Sequence, residues 1–162
     1  ERHTPRMEVG DLKLSILQQL LAHPTLAREF NQDVIDEHVH GDDRVDREIA
    51  EVWRASTATT AAEAAALSHG ALLELLADSD YADEYRALAA QEMEIETGVE
   101  VAREIVSEAF AKLKLRRFER DRAERLSDYE RDPSPQRLDA YRAADQAYTR
   151  ARGPTEREVG AR

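Results

Sequence analysis

The chain of 162 residues contains no cysteine. This absence excludes disulfide bonds and thiolate metal sites, and it is consistent with a reducing compartment. No apolar run approaches the ~20 residues that a membrane-spanning helix needs, and no signal-peptide pattern opens the chain. We therefore expect a cytoplasmic protein with no membrane partner. The start at Glu1 rather than at methionine predicts a fragment of a longer protein.

Glycine and proline are also scarce, with six and five residues. Few positions can therefore interrupt a helix. Alanine, leucine, glutamate and arginine are abundant instead, and all four lose little side-chain entropy when they enter a helix. Hydrophobic residues make up 41% of the chain, which is enough for one modest core. The composition predicts an all-α protein.

Apolar spacing and helix-stop signals divide the chain into four predicted regions. Residues 1–10 are expected to be a linker, and residues 11–113 a helical bundle. A long helix then leads into a C-terminal helical hairpin, residues 114–152, which we expect to bind a partner. Residues 153–162 are predicted to be a disordered tail.

Local signals predict several helix ends in the bundle. Asp11 and Asp80 are expected to cap helices through their carboxylates, and Thr60 begins a capping-box pattern with Glu63. Gly70 is predicted to end the helix that begins after Thr60. The segment 31–42 is expected to be a loop with one short helical turn.

The hairpin has clearer signals. The long helix is predicted to run from Thr97 to Leu126, and residues 127–133 to form the turn. Ser134 followed by Pro135 is typical of a helix start. Gly153, followed by a proline, is typical of a helix end.

The formal net charge of −11 argues against nucleic-acid binding by the whole surface. Acidic residues are concentrated from Asp33 to Glu51, with eight acids against two arginines, whereas Lys112 to Arg125 holds seven bases against three acids. We interpret the basic stretch as a solvated helical stem. Contact with an acidic partner or with single-stranded nucleic acid are the alternatives, and Phe118 alone is available there for base stacking.

The last helix has an unusually wide apolar face. On a wheel of 100° per residue, Leu138, Tyr141 and Tyr148 share one arc. Four alanines fill the neighbouring arc: Ala140, Ala144, Ala147 and Ala151. The alanine arc suits close packing on the long helix, which leaves the Leu/Tyr arc to a second protein, because tyrosine is a common interface anchor. The alternative is that both arcs pack within the chain.

The order of segments resembles the C-terminal domain of the bacterial replicative DNA primase over about residues 11–152. The opening LSILQQLLAHPTLAREF is similar to the first helix of that domain, EIVSEAFAKLKLRRFERDRAERL to its long helix, and SPQRLDAYRAADQAYTR to its terminal helix. The resemblance implies a small bundle followed by a hairpin. It implies that the hairpin contacts the replicative helicase and that the bundle tunes helicase activity.

The resemblance also implies candidate contacts. We expect the helicase to bind Leu138, Tyr141, Arg142, Asp145 and Tyr148. The family carries larger aliphatic residues where this chain has Ala140, Ala143 and Ala147, which leaves a shift of these contacts by a position or two open. The zinc-binding and polymerase domains of primase have no counterpart in this sequence.

No catalytic signature is present, so we expect neither enzymatic activity in this fragment nor a cofactor, although the parent primase would be an enzyme. His38 and His40 lie among acidic residues and invite a metal-site interpretation, but a solvated acidic loop fits their spacing better. The rival functions are an unrelated helical adaptor or regulator and a small metal-dependent enzyme. A monomer is expected, with a hairpin-mediated dimer as the alternative.

Overall fold

A computed structural model describes residues 8–39, 43–58, 60, 62–63 and 66–153. Within these ranges the chain is helical and has no strand, which confirms the all-α prediction. The elements are α1 (Val9–Ala22), a 3-10 helix (Pro24–Glu29), α2 (Gln32–His38), α3 (Arg44–Thr57), α4 (His69–Leu75), α5 (Ala82–Ile95), α6 (Val99–Arg131) and α7 (Pro135–Arg152).

The chain divides into two compact units, Glu1–Phe110 and Ala111–Arg162. We call the first the bundle and the second the hairpin. The division falls inside α6, three residues before the predicted boundary at 113/114, so this helix contributes its first part to the bundle and its second part to the hairpin.

The bundle is organised around α1, which packs against α3, α4, α5 and the 3-10 helix. Apolar residues recur along α1 at helical spacing and are almost fully buried: Leu12, Ile16, Leu17, Leu20 and Leu21. Burial of one such side chain contributes about 1.5–3 kcal/mol. This face of α1 therefore supplies a large part of the core.

Two pairs of buried polar side chains join helices of the bundle, whereas the buried hydroxyl of Ser56 has no hydrogen-bond partner among the described residues. The ammonium of Lys13 lies 2.7 Å from the carboxylate of Asp46, and the amide of Gln19 donates to Glu92 at 2.5 Å. Each pair joins α1 to a helix packed on it, α3 or α5. Pairing compensates for lost hydration, since a buried charge without a partner is strongly destabilising.

Two groups at the junction of α3 and α5 have shifted pKa values. The Tyr85 hydroxyl donates to the carboxylate of Glu51 at 2.9 Å, and burial, reinforced by that carboxylate, raises the pKa of Tyr85 well above its usual range. Burial also raises the pKa of Glu48, and the nearby charge of Glu84 adds to the effect, although Arg44 opposes it.

Two predicted caps were wrong. Helix α1 begins at Val9, so Asp11 lies in its first turn and Gly10 belongs to the helix rather than to a linker. A carboxylate is favourable throughout the first turn, because the positive end of the helix dipole is there, so its presence does not fix the cap position. At α5 the hydroxyl of Ser79, not Asp80, accepts the backbone N–H of Tyr81 at 3.1 Å.

Two predicted breaks in the helical structure, a loop and a helix end, were also wrong. Residues 31–42 were predicted to be a loop with one short helical turn, but the helix α2 occupies Gln32–His38, and the Asn31 side chain caps it by accepting the N–H of Val34 at 3.0 Å. Residues 40–42 lie outside the described residues. Gly70 lies inside α4, which Ser68 starts by accepting the N–H of Ala71 at 3.2 Å. Good N-caps outweigh a single glycine or a short length when tertiary packing supports the helix.

The capping box is confirmed. The Thr60 N–H donates to Glu63 at 3.0 Å, and the Glu63 N–H donates to the Thr60 hydroxyl at 3.3 Å. The first of these hydrogen bonds lowers the pKa of Glu63. Residues 1–7 of the predicted linker and 154–162 of the predicted tail lie outside the described residues.

The start and end of α7 were predicted correctly, but the turn before it was placed too early. Helix α6 continues through most of the predicted turn to Arg131. The helix ends at Arg131 because Pro133 disfavours helical backbone angles at the residue before it, Asp132. Ser134 then caps α7, and Gly153 ends it with a φ of +73°, a conformation that favours glycine.

Candidate partner-binding surface

Helix α7 has 18 residues, of which only Ala144 is buried. The other apolar residues of its inner side are half-buried: Leu138, Ala140, Tyr141, Ala147 and Tyr148. A single neighbouring helix covers only part of a wide apolar face. The alanine arc and the Leu/Tyr arc are therefore both partly covered, and α7 keeps a partly exposed apolar strip.

The turn of the hairpin is fixed by polar contacts. The Ser134 hydroxyl accepts the N–H of Arg137 at 3.2 Å. The Arg137 side chain reaches back across the turn, where it donates to the carbonyl of Asp132 at 2.8 Å and pairs with the carboxylate of the same residue. These contacts set where α7 starts and in which direction it leaves the turn.

Arg122 joins the two helices at the middle of the hairpin. Its Nη1 lies 3.4 Å from Oδ1 of Asp145, and its guanidinium carbon lies 4.1 Å from the ring centroid of Tyr148. A cation over an aromatic ring is attracted by about 0.5–1 kcal/mol at an exposed position. Two of the five predicted contact residues are therefore already engaged within the hairpin.

The other three predicted contact residues have no such engagement. Leu138 and Tyr141 are half-buried, and Arg142 is exposed. Among the residues that the structure describes, the Tyr141 hydroxyl makes no hydrogen bond and the Arg142 guanidinium makes no ion pair. These groups are available to a second molecule.

The sequence reasoning missed Arg122. In an antiparallel hairpin, residues at equal distances from the turn face each other. The predicted turn placed Arg122 opposite Leu138, whereas the observed turn at Pro133 places it beside Ala144, and hence within reach of Asp145 and Tyr148. A correct position for the turn would have revealed the contact.

In the basic stretch of α6, Lys112 to Arg125, arginines lie beside acidic residues of the same helix. Arg120 lies 4.0 Å from Glu124 and Arg125 lies 3.5 Å from Asp121, both at i,i+4 spacing. A shallow cavity of about 330 Å³ on this helix is lined by Arg117, Phe118, Arg120, Asp121 and Glu124. Carboxylates beside the arginines are unfavourable for phosphate, so the geometry favours a solvated stem over a nucleic-acid site.

The candidate metal site is not supported. His38 lies in α2 rather than in a loop, and its ring is buried 5.7 Å from that of Phe110. His40 lies outside the described residues. Within the described part of the chain, no three His, Cys, Asp or Glu side chains are grouped so that they could hold a metal ion.

None of the described helices is both long enough and apolar enough to cross a membrane. Comparisons with protein-family models, with curated proteins and with solved structures found no match for this chain. The resemblance to the primase domain therefore stays a prediction from the sequence.

Proposed function

We propose that this chain is a non-catalytic, cytoplasmic domain of a bacterial DNA primase whose hairpin binds the replicative helicase. The contact couples RNA primer synthesis to the replication fork. The observation that carries the proposal is the thin packing of α7, an 18-residue helix with one buried residue. The order of helical segments along the sequence supports the identity of the partner.

Side-chain chemistry on α7 suits protein recognition. Leu138 and Tyr141 present apolar surface that is only half covered. Tyrosine provides a large apolar ring and a polar tip at little entropic cost, which is why it is frequent among the residues that dominate binding energy. Arg142 adjoins them as an exposed charge.

The charge distribution points in the same direction. Residues 1–110 contain 9 lysines and arginines against 24 acids, and residues 111–162 contain 14 against 10. The hairpin is therefore net basic in an otherwise acidic chain. A helicase surface with an acidic rim would be attracted to it, because complementary potentials speed encounter and select the partner. The acidic bundle would repel nucleic acid.

The proposal is tested by measuring the affinity of the full chain for the replicative helicase. Tyr141→Ala should weaken binding by about 30-fold, the effect of removing a residue worth ~2 kcal/mol at the centre of an interface. Leu138→Ala should weaken it less. Arg142→Glu should also weaken binding. Its control is Arg150→Glu, the same charge reversal on the outer side of the same helix, and this variant should bind like the unmodified chain.

Failure of the unmodified chain to bind the helicase would rule out the proposed partner and favour an unrelated helical adaptor. Binding that both Tyr141→Ala and Arg142→Glu leave unchanged would place the contact on another surface. Circular dichroism of each variant checks that helix content is retained.

A further inference from the structure

We infer that Asp145 and Tyr148 act inside the hairpin, as a clamp with Arg122, and leave docking to the other three predicted contact residues. This inference rests on the proposed function, because it divides one proposed binding surface into a structural part and a contact part. The clamp is defined as these three side chains.

The clamp consists of two contacts that depend on one guanidinium. Arg122 pairs with Asp145 at 3.4 Å and lies over the Tyr148 ring at 4.1 Å. Asp145 and Tyr148 are three positions apart, so they lie on the same side of α7. Ala144 is the only buried residue of that helix and its other inward apolar residues are half-buried, so apolar packing holds the hairpin less tightly than the bundle and the clamp adds to it.

Because they belong to the clamp, Asp145 and Tyr148 are less available to a partner than the other three predicted contact residues. The guanidinium covers one face of the Tyr148 ring, and it partly compensates the carboxylate charge of Asp145. A partner that used the covered face of the Tyr148 ring or the paired oxygen of Asp145 would first have to displace Arg122 and leave its cation without these partners. Such displacement opposes binding, so these residues are poor docking groups.

The remaining residues form the docking triad, Leu138, Tyr141 and Arg142. They lie in the half of α7 nearest the turn, where the Ser134 cap fixes the backbone. The triad combines an aliphatic group, an amphipathic ring and a cation that has no ion pair within the described chain. The partner that fits it has a shallow apolar groove with a hydrogen-bond acceptor and a carboxylate at its rim.

The two sets of residues are coupled through the helix. The clamp holds α7 against α6, so the docking triad is presented in one orientation before a partner arrives. Ordering a surface in advance lowers the entropy lost on binding. Arg122 is therefore a positioning residue for docking and not a contact residue.

The test combines hydrogen exchange of the amides of α7 in the full chain with the affinity for the replicative helicase. Arg122→Ala should lower exchange protection in α7 and weaken affinity by about tenfold through loss of ordering. Arg122→Lys keeps the positive charge but lacks the planar guanidinium, so exchange protection and affinity should both lie between those of Arg122→Ala and the unmodified chain. Arg120→Ala is the matched control, since Arg120 is exposed and pairs with Glu124 in its own helix. It should change neither the exchange protection of α7 nor the affinity.

Variants of the other residues separate the roles. Tyr148→Phe keeps the ring under the guanidinium and should preserve protection and affinity. Tyr141→Ala should lose affinity while protection in α7 stays unchanged. Unchanged protection in Arg122→Ala would overturn the clamp, and so would a Tyr148→Ala variant that loses affinity with full protection. If the helicase does not bind the unmodified chain, the proposed function fails, and the exchange data still decide whether the clamp exists.

Discussion

The bundle and the hairpin are both helical, but their helices are stabilised differently. In the bundle, eight of the 14 residues of α1 are buried, whereas in the hairpin one of the 18 residues of α7 is buried. The bundle is also strongly acidic and the hairpin net basic. The two units therefore differ in both packing and charge, and the proposed function assigns stability to the bundle and recognition to the hairpin.

Under the proposed function, the binding surface lies in the thinly packed unit. A well-packed region has its apolar side chains in the core and presents charge. A thinly packed region keeps apolar surface accessible but needs other means to stay ordered, here a cap, a proline turn and the clamp. Regions of low local stability are commonly the ones that bind.

The largest expected contrast comes from removing matched leucines. Leu17 is fully buried, and Leu17→Ala should destabilise the chain by about 2–5 kcal/mol through lost burial and the cavity left behind. Leu138→Ala, at a half-buried site, should cost under about 1 kcal/mol. Urea denaturation followed by circular dichroism measures both. Equal losses would contradict the contrast in packing.

Two spectroscopic signals should separate the regions during unfolding. Trp53 is the only tryptophan in the chain and lies in α3, so its fluorescence reports the bundle, whereas far-ultraviolet circular dichroism reports all helices. If the hairpin is less stable by about 2 kcal/mol, the midpoints differ by about 1 M urea at a typical slope. Coincident transitions would show that bundle and hairpin unfold as one cooperative unit.

A smaller effect is expected from the cap of α7. Ser134→Ala removes the acceptor for the N–H of Arg137 and should destabilise the hairpin by about 1 kcal/mol. The amides of the first turn of α7 should exchange faster. Ser127→Ala, at an exposed position inside α6, is the matched control, and it should leave stability unchanged or slightly higher because alanine favours helix. A Ser134→Ala variant with unaltered exchange would show that Pro135 and the turn are sufficient to start α7 without the serine cap.

The smallest expected effect concerns pH and the bundle. Because burial raises the pKa of Glu48 in the folded state, folding favours its protonated form. The cost of burying its charge is absent at pH values below about 4.3, the unfolded pKa, and grows as pH rises through the folded pKa. Glu48→Gln should therefore raise the melting temperature at pH 7, and the gain should shrink toward pH ~4.

Glu94→Gln, at an exposed position, is the control for that measurement. It should leave the melting temperature the same at both pH values. A Glu48→Gln variant that is less stable than the original at pH 7 would indicate that its pairing with Arg44 outweighs the burial of its charge.

Much of the fold follows from local sequence signals. The helical class follows from composition, and the ends of α7 follow from Ser134, Pro135 and Gly153, because capping and chain reversal depend on a few adjacent residues. The end of α6 was placed too early. No residue before Pro133 compels a helix to stop, and polar residues such as those after Leu126 are as acceptable in an exposed helix as in a loop.

The candidate site shows the same limit more clearly. The sequence by itself determined that α7 would carry a wide apolar face with Leu138 and Tyr141 on it, because periodicity along one helix is a local property. Only the tertiary structure decided that Tyr148 lies under Arg122 while Tyr141 does not. That distinction depends on which residues of α6 and α7 meet across the turn, and a displacement of the turn by a few residues changes every such pair.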